Sequence, residues 1–484
     1  MKYIKIFILA GLLLVGISCT DDFDAINTNP NAPVKISAQY LLPTGIEASV
    51  DKYWGGRTRF ERMNLDGAAL WVQYLARNIY ANEGDSYGLT PAFYNNNWKV
   101  LYADALVNFQ KIIEISGEKG TAPNTNYEGV ALVMRSWVFS VLTDCWGAIP
   151  YSEAVRGSDP EKSIATPAYD SQDVVYAGIL ADLKTANEKL NVSGVPITND
   201  ILFGGNILRW KKFANSLRLR LANRQAAKKS VESKAIMAEI LGDPATYPVF
   251  TGNADNVQLN HTAVQSSNNE WFLVMVTDSR TDWNVSKTMI DKLKELNDPR
   301  INAYAVKQGA DFEGLPNALP DAIATSYLST AAKLGTAFMQ NTSPSIIMTY
   351  SELQFILAEA ASDGDITGNA QTYFEEGIKA SMSQYNVTLP ATYLTTVGTV
   401  SKAKIMEQKW LALFGQGIEA WAEYRRTGMP TLQKDSRALY ENDGQVPARF
   451  LYPTTEQALN KVQYDKGVTM MGGDTPKNKM WWAE

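Results

Sequence analysis

Apolar side chains recur every three or four residues in several long stretches of this chain, which is the period of an α-helix with one buried face. The stretches follow one another in pairs of similar length: 101–112 with 130–141, 179–190 with 210–221, 350–357 with 370–382, and 406–413 with 417–428. Successive helix pairs of this size are typical of tetratricopeptide-like repeats, although no clear self-similarity joins the pairs here. The spacing therefore predicts a mostly α-helical fold built on about four helix pairs.

Two further helices are predicted ahead of these pairs, at about 38–53 and 57–78. Residues 79–97 are rich in Gly, Asn and aromatic side chains, and they are predicted to form a loop. The tail of the chain, 429–484, is also predicted to be mostly irregular. The predicted helices therefore occupy most of the chain outside these loops and one central segment.

That central segment, residues 243–345, interrupts the helical pattern with Gly, Pro, Asn and Ser residues. Within this insertion the sequence predicts one helix at about 285–297 and short strands near 247–250 and 257–260. Long loops carried by a rigid scaffold commonly hold binding residues. We therefore expect an irregular, loop-rich ligand-binding part with few short strands, packed against the helix pairs.

Residues 1–18, MKYIKIFILAGLLLVGIS, combine two lysines with an apolar run that is too short to span a bilayer. This is the pattern of a cleavable signal peptide, and Cys19 follows it directly. The arrangement resembles the lipobox of bacterial lipoproteins, in which the cysteine thiolate receives the lipid. An ordinary secretory signal that ends near a cysteine is the alternative. We expect residues 1–18 to be removed, Cys19 to carry the lipid anchor and the polar residues 19–36 to form a flexible tether.

The formal charge of −6 becomes more negative when Lys2 and Lys5 leave with the signal peptide. A negative chain is a poor match for nucleic acid or anionic lipid, so membrane association should come from the anchor alone. With Cys19 lipidated, Cys145 has no partner for a disulfide. The single histidine, His261, has no visible catalytic partner in the sequence, and a loop-packing role is favoured. The sequence shows no metal-spaced cluster and no G-x-S-x-G motif, so we expect neither catalysis nor a metal or cofactor.

Six separated motifs carry a resemblance to a known family. They are DCWGAIPYSEA at 144–154, DPR at 298–300, TYSELQFILAEA at 349–360, GIKAS at 377–381, IMEQKWLALFGQGIEAWAEYRRTG at 405–428, and the pattern of Arg449, Tyr452, Pro453, Glu456 and Asn460. In this order, behind a lipobox, they resemble the SusD/RagB family of outer-membrane lipoproteins, in its SusD-like branch from Bacteroidetes. The resemblance implies a single SusD-like domain over residues 37–484, with four tetratricopeptide-like units packed against the irregular part.

The same resemblance implies a nutrient-binding lipoprotein at the cell surface. Members of the family capture a nutrient, usually a glycan, and close over a SusC-like TonB-dependent transporter in the outer membrane. The implied ligand is an oligosaccharide, and a peptide is the alternative within the family. A non-catalytic protein-interaction module is a further alternative, because tetratricopeptide-like pairs often bind proteins.

Two stretches combine aromatic rings with short polar side chains, as a glycan site requires. Sugar C–H faces pack on aromatic rings, while the hydroxyl groups bond to Asn, Asp and Arg side chains. The candidate residues are Tyr80, Asn82, Asp85 and Tyr87 in 79–97, and Asn269, Trp271, Arg280, Asp282 and Trp283 in 266–284. In the family, loops from these two regions commonly face the ligand. The alternative is that Trp271 and Trp283 hold the insertion against the helices.

Three features outside these stretches are expected to be structural. Glu352 and Glu359 lie seven residues apart on one predicted helix face, where ion pairing is favoured over acid–base catalysis. Residues 209–229 are basic with an apolar stripe, which favours a scaffold helix with a solvated basic face over a membrane or partner helix. Trp98 begins an apolar stripe and is assigned to the core.

Overall fold

The computed structural model describes residues 36–56, 62–157 and 163–483. Cys19, the signal peptide and nearly all of the predicted tether therefore lie outside the described residues. Ala38–Glu484 forms one compact unit. Its first helix, α1 (Ala38–Trp54), lies where the sequence predicts a helix.

The helices that precede the insertion follow from their apolar stripes and from polar caps. In chain order after α1 they are α2 (Ala69–Trp71), α3 (Asn95–Lys99), α4 (Val107–Ser116), α5 (Thr125–Trp146), α6 (Gln172–Lys189), α7 (Ile207–Gln225) and α8 (Ser230–Gly242). Two π-helical turns, Met63–Ala68 and Val100–Leu106, run directly into α2 and α4. At the start of α5, the Asn124 side chain accepts hydrogen bonds from the Asn126 and Tyr127 amides, as a typical N-cap does.

The remaining helices lie within the insertion and after it. They are α9 (Glu270–Phe272), α10 (Lys287–Glu295), α11 (Ile301–Tyr304), α12 (Asp321–Ala324), α13 (Tyr350–Ser362), α14 (Ala370–Gln384), α15 (Tyr393–Val397), α16 (Lys402–Ala412), α17 (Gly417–Thr427), α18 (Thr454–Leu459) and α19 (Lys461–Met470). A 3-10 turn, Thr325–Tyr327, continues α12 without a break.

The strands of the described residues are short and pair only in twos. They are β1 (Leu75–Arg77), β2 (Ile149–Pro150), β3 (Tyr169–Asp170), β4 (Val257–Leu259), β5 (Trp283–Val285), β6 (Ala305–Val306), β7 (Lys333–Leu334) and β8 (Ser345–Met348). The antiparallel pairs are β1–β5, β2–β3, β4–β8 and β6–β7. The prediction of a mostly α-helical fold with few short strands is confirmed.

The apolar stripes that predicted the helix pairs are buried between neighbouring helices. In α7, for example, Trp210, Phe213, Leu217 and Leu221 have no exposed surface. Helix α6 packs against both α5 and α7, and α13 packs against α14 and α16. Removing this apolar surface from water is the main stabilising contribution to such a scaffold.

The prediction of a solvated basic face is wrong for the arginines in the second half of α7, whereas Lys211 and Lys212 are partly exposed. Arg218, Arg220 and Arg224 are each less than 5% exposed. The Arg220 guanidinium pairs with the Glu352 carboxylate at 2.5 Å, and Arg224 pairs with Asp144. The basic side chains are inside because carboxylates from other helices meet them there.

The sequence prediction is wrong or incomplete in several segments, including the loop 79–97, which contains a 3-10 turn at Pro91–Tyr94 and the start of α3. The predicted helix 57–78 includes Leu75–Arg77, which is strand β1. Residues 247–250 form no strand, while the predicted strand near 257–260 is β4 and the predicted helix at 285–297 is α10. The tail contains α18 and α19, which no apolar stripe predicted because only Gly467 is buried in them.

Trp98, Cys145 and His261 are all buried. Trp98 is 5% exposed, and Cys145 is fully buried in α5 without a disulfide partner among the described residues. His261 is buried, with its Nε2 2.7 Å from the Ser345 hydroxyl and its Nδ1 3.2 Å from the Ser267 carbonyl. Burial lowers the pKa of His261. Across the described ranges, no helix has the length and apolarity that crossing a membrane requires.

Candidate ligand-binding site

The two stretches that the sequence singles out are joined by a pair of strands. Strand β1 pairs with β5 so that Leu75 faces Val285 and Arg77 faces Trp283. Tyr80 follows β1 and Arg280 precedes β5, so both residues leave the same end of this ribbon. The guanidinium carbon of Arg280 lies 6.0 Å from the centre of the Tyr80 ring. Residues about 200 positions apart in the chain thus form one surface.

Tyr80 presents its ring at that surface on a fixed backbone. Its side chain is 43% exposed, and its φ is 61°, in the left-handed region that a tyrosine rarely adopts. Such a conformation costs about 1–3 kcal/mol and persists only where surrounding contacts impose it. The Asp321 carboxylate supplies those contacts by accepting hydrogen bonds from the Tyr80 amide at 3.1 Å and the Ala81 amide at 2.9 Å.

The buried Arg77 places its guanidinium group next to the Tyr80 ring. Arg77 is 2% exposed and donates to Asp66 and to Asp282, each at 3.0 Å. Its guanidinium carbon lies 5.1 Å from the Trp283 ring centre and 5.5 Å from the Tyr80 ring centre. Burial raises the pKa of Asp66, and the cation of Arg77 opposes that rise. Asp282 and Trp283 are therefore parts of a buried support, and each is less than 10% exposed.

The Asp85 side chain connects the loop that contains Tyr80 to neighbouring segments of the fold. Its fully buried carboxylate accepts hydrogen bonds from the amides of Arg77 and Ala318, at 3.1 and 2.9 Å, and from the Asn317 side chain at 2.6 Å. Burial raises the pKa of Asp85 to about 6, because removing a carboxylate from water disfavours its charged form. This carboxyl group therefore bonds to backbone amides, and because it is fully buried it is not accessible to a ligand.

Tyr87, Asn269 and Trp271 are also buried, away from the exposed Tyr80 ring. Tyr87 stacks on Tyr440 with 4.8 Å between ring centres. Asn269 caps α9 by accepting from the amides of Trp271 and Phe272. Trp271 donates a hydrogen bond from its ring nitrogen to the Trp54 carbonyl at 2.8 Å. This bond holds the insertion against α1, which is the packing role given above as the alternative for Trp271.

Three of the nine candidate residues are exposed or partly exposed: Tyr80, Asn82 and Arg280. Asn82 is exposed, and Arg280 is partly exposed beside the Asp282 carboxylate. The hydrogen bond from Arg280 to Asp282 raises the pKa of Arg280. An exposed ring flanked by an amide and a fixed cation can stack on an apolar ligand face and donate hydrogen bonds to hydroxyl or carbonyl groups.

Asp321, Asp66 and Arg77 shape the site but were not among the residues predicted from the sequence. Asp321 follows Pro320 at the start of α12, and an acidic residue in a first turn is a recognised helix-start signal. Arg77 follows the apolar residues Leu75 and Ala76. A single charged residue directly after an apolar segment was the sequence signal that could have identified it.

An apolar cavity lies in another part of the fold, away from the Tyr80–Arg280 surface. It has a volume of 620 Å³ and is lined by residues that include Trp98, Tyr102, Pro150, Ile164 and Leu459. None of the nine candidate residues lines it. Within the described ranges, no group of three or more His, Cys, Asp or Glu side chains is placed to hold a metal ion.

Comparison with solved structures supports the same architecture over nearly the whole chain. A chitin-binding protein is 27% identical, with a TM-score of 0.80 over 92% of this chain and 100% of its own. A chitin-binding SusD homologue from Flavobacterium johnsoniae is 23% identical, with a TM-score of 0.79 over 92% and 98% of the two chains. A SusD homologue from Bacteroides uniformis is 23% identical, with a TM-score of 0.76 over 92% and 98%.

No curated protein sequence matches the chain. The family model SusD-like_2, described as "Starch-binding associating with outer membrane", matches residues 30–453. That range covers five of the six motifs completely, together with both halves of the Tyr80–Arg280 surface. The chain therefore belongs to the SusD-like_2 family.

Proposed function

We propose that this chain is a non-catalytic, cell-surface protein that binds an oligosaccharide through Tyr80, Asn82 and Arg280. The observation that carries the proposal is the exposed Tyr80 ring beside the Arg280 cation. The backbone of Tyr80 is in a left-handed conformation, and Asp321 holds it there by accepting a hydrogen bond from its amide. A ring fixed before binding loses little conformational freedom when a sugar stacks on it. The family description, which names starch and the outer membrane, supports a glycan as the class of ligand.

The relatives narrow the choice of first ligands to test. One structural relative at 27% identity is a chitin-binding protein, whereas the family description names starch. Chitin and starch oligomers both present C–H faces and hydroxyl groups, but the chitin units also carry an acetamide whose carbonyl can accept from Arg280 or Asn82. N-acetylglucosamine oligomers are therefore the first probes and maltooligosaccharides the second.

The test is isothermal titration of these oligomers against the wild-type chain and Tyr80→Ala. Removing a central stacking ring typically costs about 1–2 kcal/mol of binding free energy, which is a five- to thirtyfold weaker Kd. Tyr40→Ala is the matched control, because Tyr40 is 64% exposed on α1 and belongs to neither stretch. Equal weakening by both variants, or no effect of Tyr80→Ala, would contradict the assignment of the ring.

A peptide ligand is the alternative that the same surface permits. A tyrosine ring, an amide and an arginine also suit peptide carbonyl groups and carboxylates. Titration of a mixed peptide panel against the same variants separates the two classes. Binding of peptides with a Tyr80 dependence, together with silence on all oligosaccharides, would replace the glycan proposal.

The place and partner of the protein belong to the same proposal. A lipid on Cys19 and a tether over residues 19–36 would hold a single domain, 37–484, at the outer membrane, where it would deliver ligand to a SusC-like TonB-dependent transporter. The family description supports the outer-membrane location. Co-purification of a barrel transporter with the full chain tests the partner. A pure protein-interaction module is the remaining alternative, and it requires that partner with no soluble ligand.

A further inference from the structure

A second cavity lies at the other end of the ribbon that carries the Tyr80–Arg280 surface. Arg280 precedes β5, whereas Lys287, which lines this cavity, follows the same strand. The cavity has a volume of 530 Å³, within the usual range for sites that hold small molecules. Charged side chains from several segments line it, which distinguishes it from the mostly apolar cavity beside Trp98. None of the nine candidate residues lines it.

The walls combine aromatic rings with charged groups. Phe312 and Tyr327 are both half-buried at the cavity. Arg437 donates to the Tyr327 hydroxyl at 3.2 Å and pairs with Asp435 at 2.8 Å. Within the described ranges, the exposed Glu313 carboxylate makes no hydrogen bond or ion pair with a side chain. Such a lining offers ring faces to C–H groups and both donors and acceptors to hydroxyl groups.

One short rigid element joins this cavity to the Tyr80 loop. Asp321, at the start of α12, holds the Tyr80 and Ala81 amides, and Tyr327, at the end of the continuing 3-10 turn, lines the cavity. Seven helical residues rise by about 10 Å. The inner side of the element packs on a small apolar cluster that includes Leu315, Leu319 and Ala331. One helical segment therefore connects the residue that holds the Tyr80 backbone to the wall of the cavity.

We propose that this cavity is a second glycan subsite, filled by the same oligosaccharide whose other end stacks on Tyr80. This inference rests on the proposed function and adds that the chain selects its ligand by length. Once one end of an oligomer is bound at Tyr80, its other end meets the cavity at a high effective concentration. A ligand too short to reach the cavity gains none of that affinity.

The test compares the dimer and the hexamer of N-acetylglucosamine, with maltose and maltohexaose as the second pair, by isothermal titration. The wild-type chain should bind a hexamer at least tenfold more tightly than the matching dimer. Glu313→Gln and Tyr327→Ala should each remove most of that advantage and leave dimer affinity unchanged, whereas Tyr80→Ala should weaken both lengths. Glu232→Gln, at an exposed position on α8, and Tyr40→Ala are the matched controls.

The outcomes separate this inference from the function on which it rests. Equal affinities for dimer and hexamer, with a Tyr80 dependence, would overturn the second subsite and leave the glycan site standing. A hexamer advantage that survives both cavity variants would do the same. Absence of binding by all four sugars would overturn the proposed function and the subsite together. Because Glu313 is exposed, its variant remains informative even where Tyr327→Ala disturbs the apolar cluster.

Discussion

At the scale of single residues, the carboxyl group of Asp85 links the charge of the site to the stability of the fold. It lies fully buried beneath the Tyr80 loop and bonds to two backbone amides and one side-chain amide. Each of these bonds favours the charged form, but burial opposes them and prevails, so the pKa is about 6. The same loop that presents the Tyr80 ring therefore contains a group that changes charge in mildly acidic solution.

Asp85→Asn is expected to change the pH dependence of the free energy of unfolding. The folded pKa of about 6 lies above the ordinary value of 3.8, so the proton binds more tightly in the folded chain. The stabilisation that Asp85 contributes is complete below about pH 4 and is lost as the pH rises through 6, up to about 3 kcal/mol. Asparagine cannot titrate, so the difference between wild type and variant should move by that amount between pH 4 and 7.

Urea unfolding curves measured at several pH values check this expectation. Any constant cost of replacing a carboxylate oxygen with an amide group cancels in the comparison, because that cost does not depend on pH. Parallel stability profiles for the two proteins would show that Asp85 keeps an ordinary pKa in the fold.

At the scale of elements, α13 and α14 approach each other closely because a glycine lies between them. A Cβ atom at Gly377 of α14 would lie 2.9 Å from the ring of Phe355 of α13, which is fully buried. The GIKAS motif thus has a packing reason for its first residue. The aromatic ring occupies the space that any side chain at position 377 would need.

Gly377→Ala is therefore expected to destabilise the protein, although alanine is the better helix former. Overpacking a core typically costs about 1–3 kcal/mol, more than the roughly 1 kcal/mol that alanine gains over glycine in a helix. Gly242→Ala is the matched control, because Gly242 is the last residue of α8 and a Cβ atom there would have no neighbour within 4 Å. Chemical unfolding should show opposite signs for the two variants, and stabilisation by both would contradict the packing argument.

The helices and strands also show which elements a local sequence pattern can predict and which it cannot. The stripes of α5, α6, α7, α13 and α14 are local, repeating every three or four residues, and they predicted these helices. Strand β1 was missed because it has three residues and its partner, β5, lies about 200 residues further along the chain. A local pattern carries no information about such a partner. Both candidate stretches were singled out from the sequence, but their contact depends on this pairing.

The same limit applies to single residues at the site. Local composition identified the exposed Tyr80 and the partly exposed Arg280, and equally Asp282 and Trp283, which are buried. Composition cannot separate these cases, because exposure depends on what packs above a residue. Arg220 and Arg224 of α7 show the reverse: their charge predicted solvent, and carboxylates from distant helices keep them inside.

At the scale of the whole molecule, those buried charges connect helices that are far apart in sequence. Arg224 pairs with Asp144 of α5 and with Glu419 and Glu423 of α17. Burial alone would raise the pKa of Glu423, but the cations of Arg426, Lys409 and Arg224 outweigh it and hold that pKa well below the ordinary value. The network therefore links α5, α7 and α17 inside the helical scaffold that carries the loops.

The last expectation concerns where the whole protein is held in the cell. Cys19 lies outside the described residues, and the proposal makes it the site of a lipid anchor; two or more acyl chains give stable membrane attachment where one is marginal. Cys19→Ala should move the full chain from the membrane fraction to the soluble fraction of lysed cells. Cys145→Ala is the matched control, because the only other cysteine is buried in α5 and out of reach of a lipid donor.

Immunoblots of both fractions give the readout, and binding of the hexamer by soluble Cys19→Ala protein shows that it has folded. The anchor is the sole attachment to the lipid bilayer in this proposal, so in cells that lack the transporter partner, loss of the thiol should release nearly all of the protein. A Cys19→Ala variant that stays with the membrane as fully as Cys145→Ala would mean that the body itself binds there. In that case the 209–229 helix is not the explanation, because its apolar stripe and its arginines at 218, 220 and 224 are buried in the scaffold.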